Sequence, residues 1–185
     1  MNNFIGEYFL SHKIADDLLD FYNSNTKTQG VIYCDTNGTS VNKDIKNVLE
    51  VEIDKDDMTP AIFNFRKEQQ ICLENYMNKF EALKEISPFN INENLLLSKS
   101  EPNEGYKVYH NERGALCVSK RVLFFIMYLN DVPDGGLNFL YFDKKIEAKK
   151  GKLIFMPTEW THQHIGESKN TISKYYITGW YSFNE

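Results

Sequence analysis

The chain has 185 residues, of which 42% are hydrophobic and 14% aromatic. That supplies a sizeable core for one domain and excludes a disordered or low-complexity chain. A net charge of −5 leaves no broad cationic field, so nucleic acid is not an expected partner. The three cysteines, Cys34, Cys72 and Cys117, are odd in number and form no CxxC pair; they read as free thiols of a reducing compartment. The first residues lack the basic-then-apolar order of a signal peptide, and no apolar run reaches the length of a membrane span. A cytoplasmic protein without a membrane partner is the expectation.

Taken in order, residues 3–10 read as a short strand or extended lead-in. Ser11 is placed to cap a helix over 12–22, with Ile14, Leu18, Leu19 and Tyr22 at helical spacing. Residues 23–47 read as loop with one short strand near Val31 to Cys34. Leu49, Val51 and Ile53 alternate with Glu50 and Glu52, which predicts a strand. Thr59-Pro60 predicts a helix start, with a hydroxyl cap and proline at the first helical position. That helix is expected to run to about Leu83, its core stripe formed by Ile62, Phe65, Cys72, Tyr76, Phe80 and Leu83.

From Ile91 the pattern changes to strands, expected at 94–99, 105–112, 121–129, 138–143, 152–156 and 172–182. Pro133-Asp134-Gly135-Gly136, Lys150-Gly151 and Gly166-Glu167-Ser168 read as breaks between them. Many short strands with turns between them suggest a barrel or jelly roll.

Three of the four histidines lie in this second half. His110 and Glu112 are two apart, so on a strand they point the same way, with Tyr106 and Val108 on that face. His162 and His164 repeat the spacing after an apolar strand. One of their nitrogens would complete a two-histidine, one-carboxylate site of the kind used by non-haem Fe(II) oxygenases. Lys174, in a mostly apolar strand, needs an anionic partner if it faces inward, where Tyr176, Thr178 and Trp180 would share its face. Arg121 opens its strand and reads as a solvated residue.

In this order the motifs resemble the Fe(II)- and 2-oxoglutarate-dependent dioxygenases of the prolyl 4-hydroxylase type, including small bacterial and phage-like members. The likeness covers roughly residues 91–182. Tyr106 to Glu112 looks like the first metal motif, and Arg121 to Val132 like the long strand ending in Tyr-Leu-Asn. Gly135-Gly136 resembles the double-glycine turn, Lys150 to Phe155 the strand before the second histidine, and Lys174 to Trp180 the closing strand.

The resemblance implies a mainly β fold with flanking helices, a double-stranded β-helix of the jelly-roll or cupin type. Residues 1–185 would form one domain, with 1–90 as helical support and 91–185 as the catalytic core. It implies that His110, Glu112 and one of His162 or His164 bind iron. Lys174 would pair with the distal carboxylate of 2-oxoglutarate, Tyr128 would donate its hydroxyl to the same group, and Trp180 and Tyr106 would line the pocket. In similar sequences the iron histidine stands about ten residues before the basic residue; His164 is ten before Lys174 and His162 twelve. His164 is therefore favoured, with His162 behind the ligands or facing substrate. Two positions depart from the pattern: Glu112 replaces the usual aspartate, and Asn138 the usual threonine.

The implied reaction couples oxidative decarboxylation of 2-oxoglutarate by O2, yielding succinate and CO2, to hydroxylation of a C–H bond. Ascorbate would restore oxidised iron. A prolyl residue in a peptide or protein is the implied substrate. The alternatives are a free amino acid or other small molecule on the same scaffold, or a non-catalytic cupin using His110, Glu112, His162 and His164 together.

Overall fold

The computed structural model describes residues 3–34, 38–167 and 171–184. The thiol of Cys34 and the turn residue Ser168 lie outside the described residues and side chains. Cys72 is half-buried and Cys117 exposed, both as free thiols.

Strand β1 (Gly6–Phe9) leads into helix α1 (His12–Ser24). Ser11 has extended backbone, and its hydroxyl accepts from the Ile14 N–H at 3.4 Å, which starts the helix. Ile14, Ala15, Leu18 and Tyr22 form the buried stripe. Helix α2 (Pro60–Lys79) follows strand β2 (Leu49–Ile53). Thr59 occupies its cap position, but the expected hydroxyl cap does not form. Proline at the helix start has no N–H to satisfy, so the helix tolerates this. The helix stops at Lys79, and a single 3₁₀ turn (Glu81–Lys84) carries the chain onward. Its buried face is Ile62, Phe65, Gln69, Leu73 and Tyr76; Leu73 takes the core place expected for Cys72.

The remaining main strands are β3 (Leu95–Ser100), β4 (Arg121–Tyr128), β5 (Val132–Phe139), β6 (Lys145–Ala148), β7 (Lys152–Pro157), β8 (His164–Gly166) and β9 (Lys174–Phe183). They form two antiparallel sheets. The larger runs β1–β7–β4–β9–β3–β2 and ends on Thr28–Gln29, with Phe89–Asn90 beside β9. The smaller runs β6–β5–β8. Both helices come from the N-terminal half, as the jelly-roll expectation requires.

The strand expected at 138–143 is displaced. The chain is already extended from Val132, through the Pro-Asp-Gly-Gly run that reads as a turn. Those residues make an irregularity instead: register slips between Val132 and Leu137, and Asp134 takes a φ of 54°. A Cβ at Gly136 would lie 1.6 Å from the Ile146 carbonyl oxygen, so glycine is what lets β6 approach.

Strand parity divides the core into two layers. Leu123, Phe125 and Met127 of β4, with Leu153, Phe155, Ile177 and Tyr181, pack against the helices. Phe124, Ile126 and Tyr128 of the same strand point to the other face, with Ile154, Met156 and Trp180. There they meet Leu137, Phe139, Ile146 and Ala148 of the small sheet. Each such large side chain contributes about 1.5–3 kcal/mol of burial free energy. Among the described residues, no helix is long and apolar enough to cross a membrane.

Candidate active site

The site lies between the two sheets. His110 does not sit on the expected strand over 105–112. Only Gly105–Tyr106 is a strand, paired with Lys46–Asn47, and the chain turns at Glu112 and Arg113. The Arg113 N–H donates to the Thr158 carbonyl at 3.1 Å, which draws the turn across the site. His110 is held by a lone β-bridge to His164, with reciprocal N–H to carbonyl bonds of 3.0 and 2.9 Å. His164 opens β8 and pairs across to Phe139 of β5.

Hydrogen bonding fixes both imidazole tautomers. Nδ1 of His110 lies 3.0 Å from the Val108 carbonyl, and Nδ1 of His164 lies 2.9 Å from the His162 carbonyl. A carbonyl only accepts, so each Nδ1 carries a proton and each Nε2 is the nitrogen left to face a ligand. These Nε2 atoms face one oxygen of Glu112, at 3.5 Å from His110 and 3.4 Å from His164. The three candidate ligand atoms lie within 4.8 Å of one another.

Burial works to raise the Glu112 carboxyl, but hydrogen bonding and charge at His110 and His164 outweigh it and hold the group well below the ordinary carboxylate range. Burial, with His110 nearby, pushes the His164 imidazole below its ordinary value. A neutral imidazole and an ionised carboxylate are the forms a metal binds. A cation entering the site displaces any proton held between these atoms and meets two imidazole lone pairs and a carboxylate oxygen. The donor set suits a divalent metal of the borderline kind, with coordination positions left open.

The imidazoles are braced from behind. Tyr106 stacks on His110 with ring centres 3.6 Å apart and planes 17° apart. Phe124 and Phe139 flank His164 at 5.7 and 5.9 Å. The second oxygen of Glu112 accepts from the Trp180 indole N–H at 2.8 Å.

His162 stands apart from this triad. Its Nε2–H donates to the Asn3 carbonyl at 2.9 Å, and its Nδ1 accepts from the Thr161 hydroxyl at 3.0 Å. With both nitrogens engaged, its side chain faces neither the triad nor the cavity. Its backbone carbonyl is what orients His164.

Lys174, the first residue of β9, is 4% exposed. Its Nζ donates to the carbonyls of Gly135 at 2.7 Å and Glu167 at 3.1 Å. Burial lowers its pKa to about 8, against an opposing pull from Glu167. Tyr128 is fully buried, and its hydroxyl has no hydrogen-bond partner. Leaving a buried hydroxyl unpaired costs about 1–3 kcal/mol, so the group awaits an acceptor. Lys174 and Tyr128 line the same cavity as His110, Glu112 and His164, a space of about 100 Å³ also walled by Tyr176. Ammonium, hydroxyl and an acceptor triad able to hold a cation together suit a small anion bearing two acidic ends.

Two groups escape a reading of the sequence. Glu50, which alternates with the apolar residues of its strand, is 5% exposed and faces the cavity. It is held by Lys46 at 2.8 Å and the Ser98 hydroxyl at 3.0 Å. Arg121, expected in solvent, is 3% exposed and anchored by Glu93. Charged residues in a strand carry no local mark of which face they take; Ser98 and Glu93, which bind these two, lie far off in the sequence.

No family model matches the sequence, and no curated protein matches it. The structure does have matches. A prolyl hydroxylase from Trichoplax adhaerens, in complex with a hypoxia inducible factor oxygen degradation domain peptide, superposes with a TM-score of 0.75. It is 17% identical, over 98% of this chain and 84% of that one. A Pseudomonas putida prolyl-4-hydroxylase gives 0.73 at 15% identity, over 100% and 95%. The viral collagen prolyl hydroxylase of Paramecium Bursaria Chlorella virus-1, as its 2OG complex, gives 0.68 at 17%, over 98% and 97%. This chain therefore has the jelly-roll fold of the prolyl hydroxylases along nearly its whole length.

Proposed function

We propose that this chain is an Fe(II)- and 2-oxoglutarate-dependent dioxygenase that hydroxylates a prolyl residue in a peptide or protein, with release of succinate and CO2. One observation carries the reading: a His-Glu-His acceptor triad and a buried lysine with an unpartnered tyrosine hydroxyl line one cavity. The prolyl hydroxylase fold supports it independently.

In this reading Nε2 of His110, Nε2 of His164 and one oxygen of Glu112 hold the iron, and Glu112 offsets part of its charge. Lys174 and Tyr128 bind the distal carboxylate of 2-oxoglutarate, the lysine by charge and the tyrosine by donating the proton it now leaves unused. Phe124, Ile126 and Leu137 line the same space and exclude water from it. Bound iron supplies the oxidation chemistry that divides O2 between 2-oxoglutarate and the substrate. Trp180 and the stack of Tyr106 on His110 fix the ligands so that reacting groups meet in one geometry.

A larger cavity of about 760 Å³ adjoins the first and shares Tyr106, His110, Glu112 and Trp180 with it. Its size supports an extended segment of chain as substrate over a single amino acid. The non-catalytic cupin alternative needs His162 as a fourth ligand, and that imidazole is engaged elsewhere.

The test is succinate formation from 2-oxoglutarate by anaerobically Fe(II)-loaded protein exposed to O2 and ascorbate, with and without a proline-rich peptide. Peptide-stimulated succinate, with one oxygen added to proline by mass spectrometry, is the expected result. Absence of both coupled and uncoupled turnover would sink the enzyme reading. Turnover that no peptide stimulates would sink the peptide substrate alone.

A further inference from the structure

Glu112 is one methylene longer than the aspartate of the pattern this sequence resembles. The structure gives the extra length a use. One oxygen, Oε1, faces both histidine Nε2 atoms, while Oε2 accepts the Trp180 indole N–H at 2.8 Å. The indole is itself held. The Arg121 guanidinium lies 3.7 Å from the Trp180 ring centre, as a cation over an aromatic face. Arg121 Nη1 donates to the Glu112 backbone carbonyl at 3.1 Å and stands 4.0 Å from its Oε2. Glu93 fixes Arg121 through Nε, at 3.0 and 3.1 Å, and accepts from the Ser182 hydroxyl at 3.0 Å. Arg121 is 3% exposed and Trp180 is 7% exposed, so water does not compete for these contacts.

We infer that Trp180, backed by Arg121 and Glu93, is a positioning residue that ties down one oxygen of Glu112 and makes the long carboxylate a one-oxygen metal ligand. This rests on the metal reading of the triad. The physical case is geometric. A glutamate has one more rotatable bond than an aspartate and, left free, swings its carboxylate or offers both oxygens to an ion. Oε2 cannot turn toward the triad without breaking its bond to a buried indole, which would then lack a partner. The cation on the indole face strengthens the N–H as a donor, and Glu93 keeps that cation in place. Glu112 and Trp180 therefore act as a matched pair. Glu112→Asp, which the resemblance alone would favour, leaves the carboxylate unable to face both imidazoles and still reach the indole.

The experiment is an anaerobic titration of the full chain with Co(II), read by visible absorption, for wild type, Glu112→Asp, Trp180→Phe and the double variant. Wild type is expected to bind. Each single variant should bind about tenfold more weakly, the lower end of the effect for groups that orient ligands. Each should also show shifted Co(II) bands. The double variant should be no weaker than either single one, because both remove the same contact. Wild-type binding with an unchanged affinity and spectrum in Trp180→Phe overturns this inference and leaves the metal reading standing. No binding by wild type defeats the metal reading, and this inference falls with it.

A second measurement does not need Trp180→Phe to fold. The chain has two tryptophans, and Trp160 is 66% exposed, so the two indole N–H signals of metal-free protein are separable by NMR. Glu112→Asp should move the Trp180 signal and leave that of Trp160. An unmoved Trp180 signal overturns the pairing.

Discussion

The two faces of the main sheet follow different rules. Toward the helices, β4 and β7 present Leu123, Phe125, Met127, Leu153 and Phe155, which share one cluster with Leu18, Ile62, Phe65 and Leu73 of the helices. Toward the small sheet, the same strands begin as apolar, with Phe124, Ile126 and Ile154. The lining then gives way to Tyr128, Lys174, Glu50, Glu112 and His164. A chain selected only for stability would not bury a lysine, two carboxylates and an unpaired hydroxyl in one space. One face is packed by apolar side chains, and the other buries polar groups at a cost that the proposed ligands would offset.

Breaking each face should therefore give opposite phenotypes. The largest effect is expected from His164→Ala. It should weaken Co(II) binding by more than the roughly hundredfold seen when a supporting group is lost, and abolish turnover. The thermal midpoint of the metal-free protein should barely move; a collapsed fold would make His164 a structural residue instead. On the helix face, Phe125→Ala removes a fully buried ring that packs on Phe65, Phe155 and Tyr181. Urea unfolding should show a loss of about 3–5 kcal/mol, while Co(II) affinity of the folded protein stays the same.

Lys174→Met sharpens the contrast. It should remove 2-oxoglutarate binding, measured by calorimetry on metal-loaded protein, without destabilising the unliganded fold. The pH dependence follows from the lysine's folded pKa of about 8, lowered from 10.5 by burial. Between those values the unfolded chain binds the proton and the folded chain does not. Stability therefore rises with pH across that window, and the penalty of burying the charge is fully present below about pH 8. A dicarboxylate needs the charged form, so its affinity should fall as pH climbs past about 8, approaching tenfold per unit. Lys174→Met should lose the stability slope, and a slope that survives would assign the titration to another group. The smallest effect is Tyr128→Phe. Removing the unpaired hydroxyl should stabilise the empty protein by about 1 kcal/mol and weaken 2-oxoglutarate several-fold, so that the thermal gain seen without the acid is largely cancelled in its presence.

The sequence carries the helix face more openly than the site face. Periodicity alone marks α1, α2, β4 and β7, because their inward residues are apolar and regularly spaced. The order of His110, Glu112, His164 and Lys174 is also visible. What brings them together is not local. His110 reaches its place through a lone bridge to His164, and Trp180 meets Glu112 from 68 residues away. Gly136 reads as part of a turn because what needs it, close approach of β6, belongs to another strand. Glu50 is bound by Ser98 and Arg121 by Glu93, partners that no local window contains.

The bridge between His110 and His164 has one more consequence. Two reciprocal backbone bonds already close the long loop between these residues, and the entropy of that closure is spent when the chain folds. On the metal reading, loading is then a local event in a chain that is already folded. A chelator should strip the ion and leave an intact protein ready to take up another, unlike small metal-dependent domains that fall apart without their ion.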